Sequence, residues 1–104
     1  AHSWIDAGAN LIVGAHPHVI QSEETYKDTK IYYSLGNYLF DQYFSYDTTH
    51  GLAIGIHLEK ESSENITKII STDLIPIDNT GSITRPANAT NTKIILDKFS
   101  EISK

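Results

Sequence analysis

Two histidines with one proline between them, His16 and His18, directly follow the apolar run at residues 11–13. In an extended segment residues i and i+2 point the same way, so the two imidazoles can converge on one point. Neutral imidazole is the commonest metal ligand among side chains. Pro17 restricts the backbone and so lowers the entropy lost in holding the pair. The spacing favours a metal site, and the alternative is a pair of rings that satisfy backbone carbonyls in a turn.

The placement of this pair strengthens the metal hypothesis. In open α/β sheets, ligands bind at the carboxyl ends of strands, and the histidines follow the predicted strand at residues 11–13. A second predicted strand ends at Gly36-Asn37. Gly36 permits a sharp turn, and Asn37 can offer its carbonyl oxygen to a metal or its amide to a phosphate. Because Gly-Asn is typical of ordinary turns, Asn37 is a candidate site residue only if a hairpin brings it close to the histidines.

The remaining polar candidates are weaker. His57 lies on the polar face of a predicted strand, and His2 lies in a predicted helix, so both are interpreted as structural or surface residues. His50 precedes a glycine at a strand start and could have either role. Asp41 and Asp47 could supply carboxylates, but loop aspartates are usually solvated or form turns.

Aromatic residues are dense around residues 38–46. Such density could form a surface on which sugars stack. A hydrophobic lid packed on a small core explains the same residues more simply, and one helical turn could form within the segment.

The hydrophobic pattern predicts one partial domain over residues 1–104, of α/β (α+β) class with a mixed sheet and hairpins. The stretch 51–59 alternates, which predicts a strand with one well-buried face. The predicted elements in order are a helix at 1–8 that stops at Gly8, a strand at 11–13 buried on both faces, a hairpin with strands at 25–26 and 31–33, the strand at 51–59, a solvated turn at 59–65, a strand at 66–77 broken by Pro76, a loop to residue 90, and a helix at 91–103 capped by Thr90 or Asn91, with Ile95, Phe99 and Ile102 on its apolar face.

Composition excludes some partners and ligands. The net charge is −5, with 13 acidic and 8 basic residues, so no basic stripe is available for nucleic acid. Without cysteine, any metal must be held by His, Asp, Asn or Glu. No stretch approaches the roughly 20 apolar residues of a transmembrane segment.

The ordered motifs within IDAGANLIVGAHPHVIQSEETYKDTKIYYSLGNYLFDQ resemble the C-terminal part of the bacterial capsule synthesis protein CapA family, also called PgsA-like poly-γ-glutamate synthesis proteins. The resemblance is close over residues 1–42. That family is similar to the calcineurin-like metallophosphoesterases. The resemblance therefore implies the C-terminal part of a β-sandwich flanked by helices, with a two-metal centre at the sheet edge.

The resemblance also implies roles for individual residues. His16 and His18 take the place of the final metal ligands of that superfamily, and Asn37 lies where the chain turns back toward the site, which makes these three the candidate catalytic residues. Ala15 replaces a further histidine that many members carry. The implied cofactors are divalent metal ions, Mn, Zn, Mg or Fe, bound only in the intact protein.

The family's other site motifs, Gly-Asp, Asn-Leu-Glu, Asn-Asn-His and His-Trp-Gly, do not occur in this sequence. We therefore expect this chain to be a C-terminal fragment that is inactive by itself and binds divalent metal weakly. The resemblance implies an intact protein at the extracytoplasmic face of the bacterial envelope. Its partners would be anionic capsular or poly-γ-glutamate polymer and envelope synthesis or export proteins, and its chemistry phosphoester or related hydrolysis. The alternative is a non-catalytic cell-envelope module that binds polymer through residues 38–46.

Overall fold

The computed structural model describes residues 1–63 and 65–104. In these residues the chain forms two three-stranded sheets and three α-helices, so the predicted α+β class is confirmed. The elements are α1 (His2–Asp6), β1 (Ile12–Val13), β2 (Glu23–Tyr26), β3 (Thr29–Tyr32), α2 (Tyr46–Thr49), β4 (His50–Glu61), β5 (Ile66–Asp78), β6 (Arg85–Pro86) and α3 (Ala89–Ile102), with a 3-10 turn at Thr80–Ser82.

The first sheet has the strand order β1-β3-β2 and is mixed. β1 runs parallel to β3, and β2 runs antiparallel to β3. The two residues between β2 and β3, Lys27 and Asp28, have φ angles of 47° and 62°. Positive φ at both central residues is the geometry of the tight turns that match strand twist. The predicted hairpin is therefore confirmed.

The strand predicted at residues 11–13 is present, but its burial on both faces was wrong. Val13 is 48% exposed, and Ile12 is only half-buried. Within the described residues β3 is the one strand paired with β1, which lies at the edge of its sheet. An edge position leaves part of the apolar strand in water. The helix at the start also ends as expected, since Gly8 adopts a φ of 109° after α1.

The second sheet is built on a long antiparallel hairpin of β4 and β5, with β6 at the outer side of β5. The prediction of a well-buried face along residues 51–59 holds only at the base of the hairpin. Leu52 is 3% exposed, whereas Ile56 and Leu58 are 44% and 63% exposed. The two strands extend past the helix and the first sheet that cover their base, so the apolar stripe continues into solvent.

Pro76 does not break β5, contrary to the prediction. It pairs with Leu52 in the ladder, and the Leu52 N–H donates in the other direction, to the Leu35 carbonyl at 2.8 Å. The Pro76 carbonyl accepts from Ala87 at 3.0 Å, on the side away from β4. The pair with Leu52 thus requires no N–H from residue 76, which is the kind of strand position that tolerates proline.

The turn predicted at residues 59–65 is shorter than expected, because β4 continues to Glu61 and β5 starts at Ile66. Ser62, Ser63 and Asn65 lie between the strands, and Glu64 of this predicted turn lies outside the described residues.

The final helix starts earlier than predicted. α3 begins at Ala89, and its N-cap is Asn88, whose side-chain oxygen accepts from the Asn91 N–H at 2.8 Å. Neither Thr90 nor Asn91 is the cap, because Asn88 already satisfies one of the free N–H groups of the first turn. The predicted apolar face is confirmed for Ile95 and Phe99, while Ile102 remains 42% exposed.

The core lies where β3, β4 and α3 meet. Its buried members are Tyr32, Leu52, Ile95 and Phe99, and half-buried apolar side chains from the second sheet and from the connecting segments pack around them. The Tyr32 hydroxyl hydrogen-bonds the Thr72 hydroxyl at 2.9 Å, so the one polar atom of this side chain has a partner on β5. One small core therefore joins both sheets to the last helix.

The sheets also touch through their backbones. Gly36 and Gly51 form an isolated antiparallel bridge, as do Ile20 and Leu35. A β-carbon on Gly51 would lie 2.5 Å from the Asn37 carbonyl oxygen, a distance that side chains do not tolerate. The absence of a side chain at residue 51 thus lets β4 approach the segment that contains Asn37.

Gly51→Ala should lower the free energy of unfolding by about 1–3 kcal/mol, because the new methyl group forces the two backbones apart. The matched control is Gly55→Ala on the same strand, where the nearest atom to the new β-carbon is 3.6 Å away. Gly55→Ala should be neutral or stabilising by up to about 1 kcal/mol. Urea denaturation of both variants measures the difference, and equal free energies would contradict the close approach.

Candidate functional site

The histidine loop leaves the first sheet where the sequence predicted. Gly14, directly after β1, donates to the Tyr32 carbonyl at 2.7 Å. A β-carbon on Gly14 would lie 2.3 Å from the Tyr33 carbonyl oxygen, so glycine is required for this contact. The loop that follows carries His16 and His18 beyond the carboxyl end of β1, and both side chains are exposed.

Ser34 ties this loop to the turn after β3. Its side chain is buried, at 1% exposed, and its hydroxyl lies 3.0 Å from the Pro17 carbonyl and 2.9 Å from the Val19 carbonyl. One hydroxyl proton serves one of these two acceptors at a time. The same oxygen accepts from the Gly36 N–H at 3.2 Å. Ser34 therefore fixes the backbone on both sides of the candidate site.

The predicted return of Asn37 to the histidines is confirmed for His18. The His18 Nδ1 lies 2.9 Å from the Asn37 Oδ1. Asn37 is buried, at 7% exposed, while the His18 side chain stands at the surface. The hairpin of β2 and β3, residues 23–32, thus brings together two groups that are 19 positions apart in the chain.

The side-chain amide and the backbone carbonyl of Asn37 are both hydrogen-bonded. Its amide nitrogen donates to the Thr48 carbonyl at 2.9 Å and to the Gln42 side-chain oxygen at 3.3 Å. Its backbone carbonyl accepts from the Asn79 side chain at 2.9 Å. Thr48 belongs to α2, Gln42 lies before that helix and Asn79 follows β5, so segments that flank the second sheet also set the position of Asn37.

Sequence reasoning missed Ser34 and Asn79 as residues that position the site. Ser34 stands in the Ser-Leu-Gly-Asn motif, where only the glycine and asparagine had a predicted role. A serine directly between a buried strand and a turn is a signal for side-chain bonds to nearby backbone. Asn79 is fully buried, but it stands in a Gly/Asn/Thr-rich stretch that is typical of an exposed loop, so no sequence signal distinguishes it.

His16 has a strained backbone. Its φ angle is 105°, a region that residues with a side chain rarely adopt. Such strain costs about 1–3 kcal/mol and is concentrated at functional sites. The hydrogen bonds of the described residues include none to its imidazole. The prediction that the His16 ring meets His18 at one point stays a prediction.

The described residues do not complete a metal site by themselves. Among them no group of three or more His, Cys, Asp or Glu side chains could hold a metal ion. His16 and His18 offer the imidazole chemistry that Zn, Mn or Fe accept, but a zinc site takes at least three protein ligands. A metal site that used this pair would need further ligands from outside the described residues.

The aromatic segment at residues 38–46 is not a packed lid, contrary to the simpler interpretation. Tyr38 is 63% exposed and Phe44 is 78% exposed. Phe40 contacts the candidate site, since its ring centroid lies 4.9 Å from that of His18 at a tilt of 38°. The expected single helical turn, α2, is present and begins at Tyr46, at the end of the segment. An open aromatic surface thus borders the histidine loop.

His50, whose role the sequence left open, is buried at 5% exposed. Its Nδ1 hydrogen-bonds the Tyr46 carbonyl at 2.8 Å, and its ring stacks on the Tyr46 ring at 3.8 Å. The Nε2 lies 3.9 Å from an Asp78 carboxylate oxygen. A hydrogen bond from Thr80 lowers the pKa of Asp78, and the charges of His50 and Arg85 lower it further. These contacts give His50 a structural role at the base of β4.

The other polar candidates are at the surface. The exposed His57 pairs with Asp73 at 2.7 Å, and His2 pairs with Glu24 at 2.7 Å. A hydrogen bond from Tyr33 is the largest cause that lowers the pKa of Glu24, and the hydrogen bond with His2 lowers it further. Asp47 forms an ion pair with Lys98 at 2.6 Å. The surface interpretation is confirmed for His57 and Asp47, and His2, for which a structural role was expected, is exposed as well.

The histidine loop lies in a stretch of the chain that matches a known protein family. Residues 1–42 match the family model described as bacterial capsule synthesis protein PGA_cap. The resemblance found in the sequence is confirmed, since this region is similar to the family and to curated CapA proteins. The matched stretch contains the histidine loop, Ser34 and Asn37.

Two curated relatives extend the match. The chain is 42% identical over 78 residues to the capsule biosynthesis protein CapA of Bacillus anthracis, covering 75% of this chain and 17% of that protein. It is 44% identical over 63 residues to the PGA biosynthesis protein CapA of Bacillus subtilis (strain 168), covering 61% of this chain and 16% of the relative. The matches thus span about a sixth of the relatives' length. In the described residues, no helix is long and apolar enough to cross a membrane.

Ser34→Ala should lower the free energy of unfolding by about 1–3 kcal/mol, because the half-buried Gly36 N–H loses its acceptor and the loop carbonyls lose their donor. It should also increase amide exchange at residues 16–21. The control is Ser71→Ala at an exposed position of β5, which should change stability by less than about 0.5 kcal/mol. Unchanged exchange in the loop would show that Ser34 does not hold it.

Proposed function

We propose that this chain is part of a protein of capsule or poly-γ-glutamate biosynthesis, in which His16 and His18 serve as ligands of a two-metal site. The two relatives carry names from capsule and PGA biosynthesis. The family match covers the part of the chain that holds both histidines. The remaining ligands would come from other parts of the intact protein.

The observation that carries this proposal is the 2.9 Å contact between His18 and Asn37. Two motifs that follow different strands meet at one edge of the first sheet, as a built site requires. The loop between them is tied down by the buried Ser34 hydroxyl. Its histidines nevertheless stay exposed, so they can bind a metal ion whose other ligands come from outside the described residues.

The proposed chemistry is hydrolysis of a phosphoester or a related bond. Two bound divalent ions, Mn, Zn, Mg or Fe, would supply an activated water and stabilise the charge that develops on the substrate. From the loop, His16 and His18 would bind the metal ions and hold them in position. Asn37 would hold the His18 ring, and Phe40, which lies against that ring, would limit water on one side.

The proposed place of action is the bacterial envelope, at its extracytoplasmic face, with an anionic capsular or poly-γ-glutamate polymer and synthesis or export proteins as partners. The relatives' names support this assignment. The net charge of −5 repels an anionic polymer. Bound cations, or basic surfaces elsewhere in the intact protein, would therefore be needed to hold it.

Metal analysis of the full polypeptide that the gene encodes tests the ligand assignment. His16→Ala and His18→Ala should each reduce the bound metal per protein, because each removes an imidazole ligand. His57→Ala is the matched control, since this histidine is exposed on β4 and pairs with Asp73; it should retain wild-type metal. Equal metal content in all four proteins would eliminate both histidines as ligands.

A non-catalytic polymer-binding module is the second candidate, and the exposure of Tyr38 and Phe44 favours it. Exposed aromatic rings are suited to stack on sugars or on extended polymer. On this hypothesis Tyr38→Ala and Phe44→Ala should each weaken retention on immobilised polymer several-fold, also in the presence of a chelator. Leu58→Ala, which removes an equally exposed apolar side chain from β4, is the control. If retention depends on metal and is unchanged in both aromatic variants, the hypothesis of a polymer-binding module is excluded.

A further inference from the structure

The orientation of the Asn37 side chain follows from its neighbours. Its amide nitrogen faces the Thr48 backbone carbonyl at 2.9 Å, and a carbonyl can only accept a hydrogen bond. The Gln42 side-chain oxygen is the second acceptor on that side, at 3.3 Å. The atom that faces His18 must therefore be the Asn37 Oδ1, which has no proton to donate.

This orientation determines which nitrogen of His18 carries the proton. Because the Asn37 Oδ1 only accepts, the His18 Nδ1 at 2.9 Å must be the donor. In the neutral ring the other nitrogen, Nε2, then keeps a free lone pair. Histidine in water prefers the opposite arrangement, with the proton on Nε2, so the contact with Asn37 selects the less common tautomer.

We propose that Asn37 is a positioning residue that holds the proton of His18 on Nδ1 and so presents Nε2 as the ligand atom. Asn37 would act through His18 and not bind metal itself. Both atoms of its amide are already engaged with protein partners, and the residue is only 7% exposed. A metal-binding histidine commonly donates its second nitrogen to an oxygen in this way.

The tautomer assignment follows from the metal-free structure alone. The role of this tautomer in metal binding rests on the proposed function. Removing such a supporting group costs about 10- to 100-fold in metal affinity. The two parts therefore need separate measurements, one on the ring protons of this chain and one on metal binding by the full polypeptide.

The first measurement is two-dimensional ¹H–¹⁵N NMR of the histidine rings in the metal-free chain at pH 8.5, above the ordinary pKa of histidine. His18 should show a protonated Nδ1 and an unprotonated Nε2. Two internal references lie in the same spectrum. His50 should match His18, because its Nδ1 faces the Tyr46 carbonyl, and His57 should show the opposite pattern, because its Nε2 faces Asp73.

Asn37→Ala should move His18 toward the tautomer with the proton on Nε2 and leave the His50 pattern unchanged. The matched control is Gln42→Ala, which removes the longer bond of the Asn37 amide but not the contact with His18; its His18 pattern should equal wild type. A wild-type spectrum with the proton on Nε2 of His18 would overturn the inference, even if Asn37→Ala fails to fold. So would a folded Asn37→Ala chain with an unchanged His18 tautomer.

The second measurement is Zn²⁺ affinity of the full polypeptide, where Asn37→Ala should bind 10- to 100-fold more weakly than Gln42→Ala. Equal affinities would overturn the positioning role in metal binding. If neither histidine affects metal content, the proposed function fails, and the tautomer result still decides whether Asn37 controls the proton on His18.

Discussion

Two buried side chains, Ser34 and Asn37, satisfy backbone polar groups of separate segments at the same time. A buried polar atom without a partner costs about 1–3 kcal/mol, so each of these bonds constrains the chain strongly. Ser34 joins the histidine loop to the turn after β3. Asn37 joins the same turn to α2 and to Asn79 after β5. The candidate site is therefore part of the junction between the sheets.

This junction also explains why the glycines beside it are needed. Gly14 and Gly51 each lie against a backbone carbonyl at a distance that excludes a side chain. Close backbone contact on both sides leaves little room for the turn at Asn37 to move. A rigid support of this kind is what a ligand-binding loop requires, because small displacements of a ligand atom weaken metal binding.

The sequence predicted the local elements better than their environment. The hairpin around Lys27-Asp28 and the apolar face of α3 follow from turn chemistry and helical spacing, which are local properties. Exposure of Val13 and Leu58 could not be predicted, because burial depends on which elements lie opposite a strand. Pro76 is accommodated because its pair with Leu52 requires no N–H from residue 76, and Leu52 donates instead to Leu35 in a distant segment. The helix start was misplaced because the sequence indicated Thr90 or Asn91 as the cap, whereas Asn88, a short distance before them, caps the helix.

The candidate site was predicted in part for similar reasons. The His-Pro-His spacing and the strand before it indicated a ligand loop, and the predicted hairpin indicated that Asn37 would return to it. The choice of His18 as the partner of Asn37 depends on the path of the loop in three dimensions. Ser34 and Asn79 act through their burial, which no single-sequence pattern records.

The unusual backbone angle of His16 has an evolutionary consequence. Glycine would occupy this position with less strain, so a protein selected for stability alone would tend to replace the histidine. A chain that keeps a histidine there gives up part of the stability that glycine would provide. In a related protein that no longer needs this histidine, position 16 is therefore where we expect substitution by glycine first.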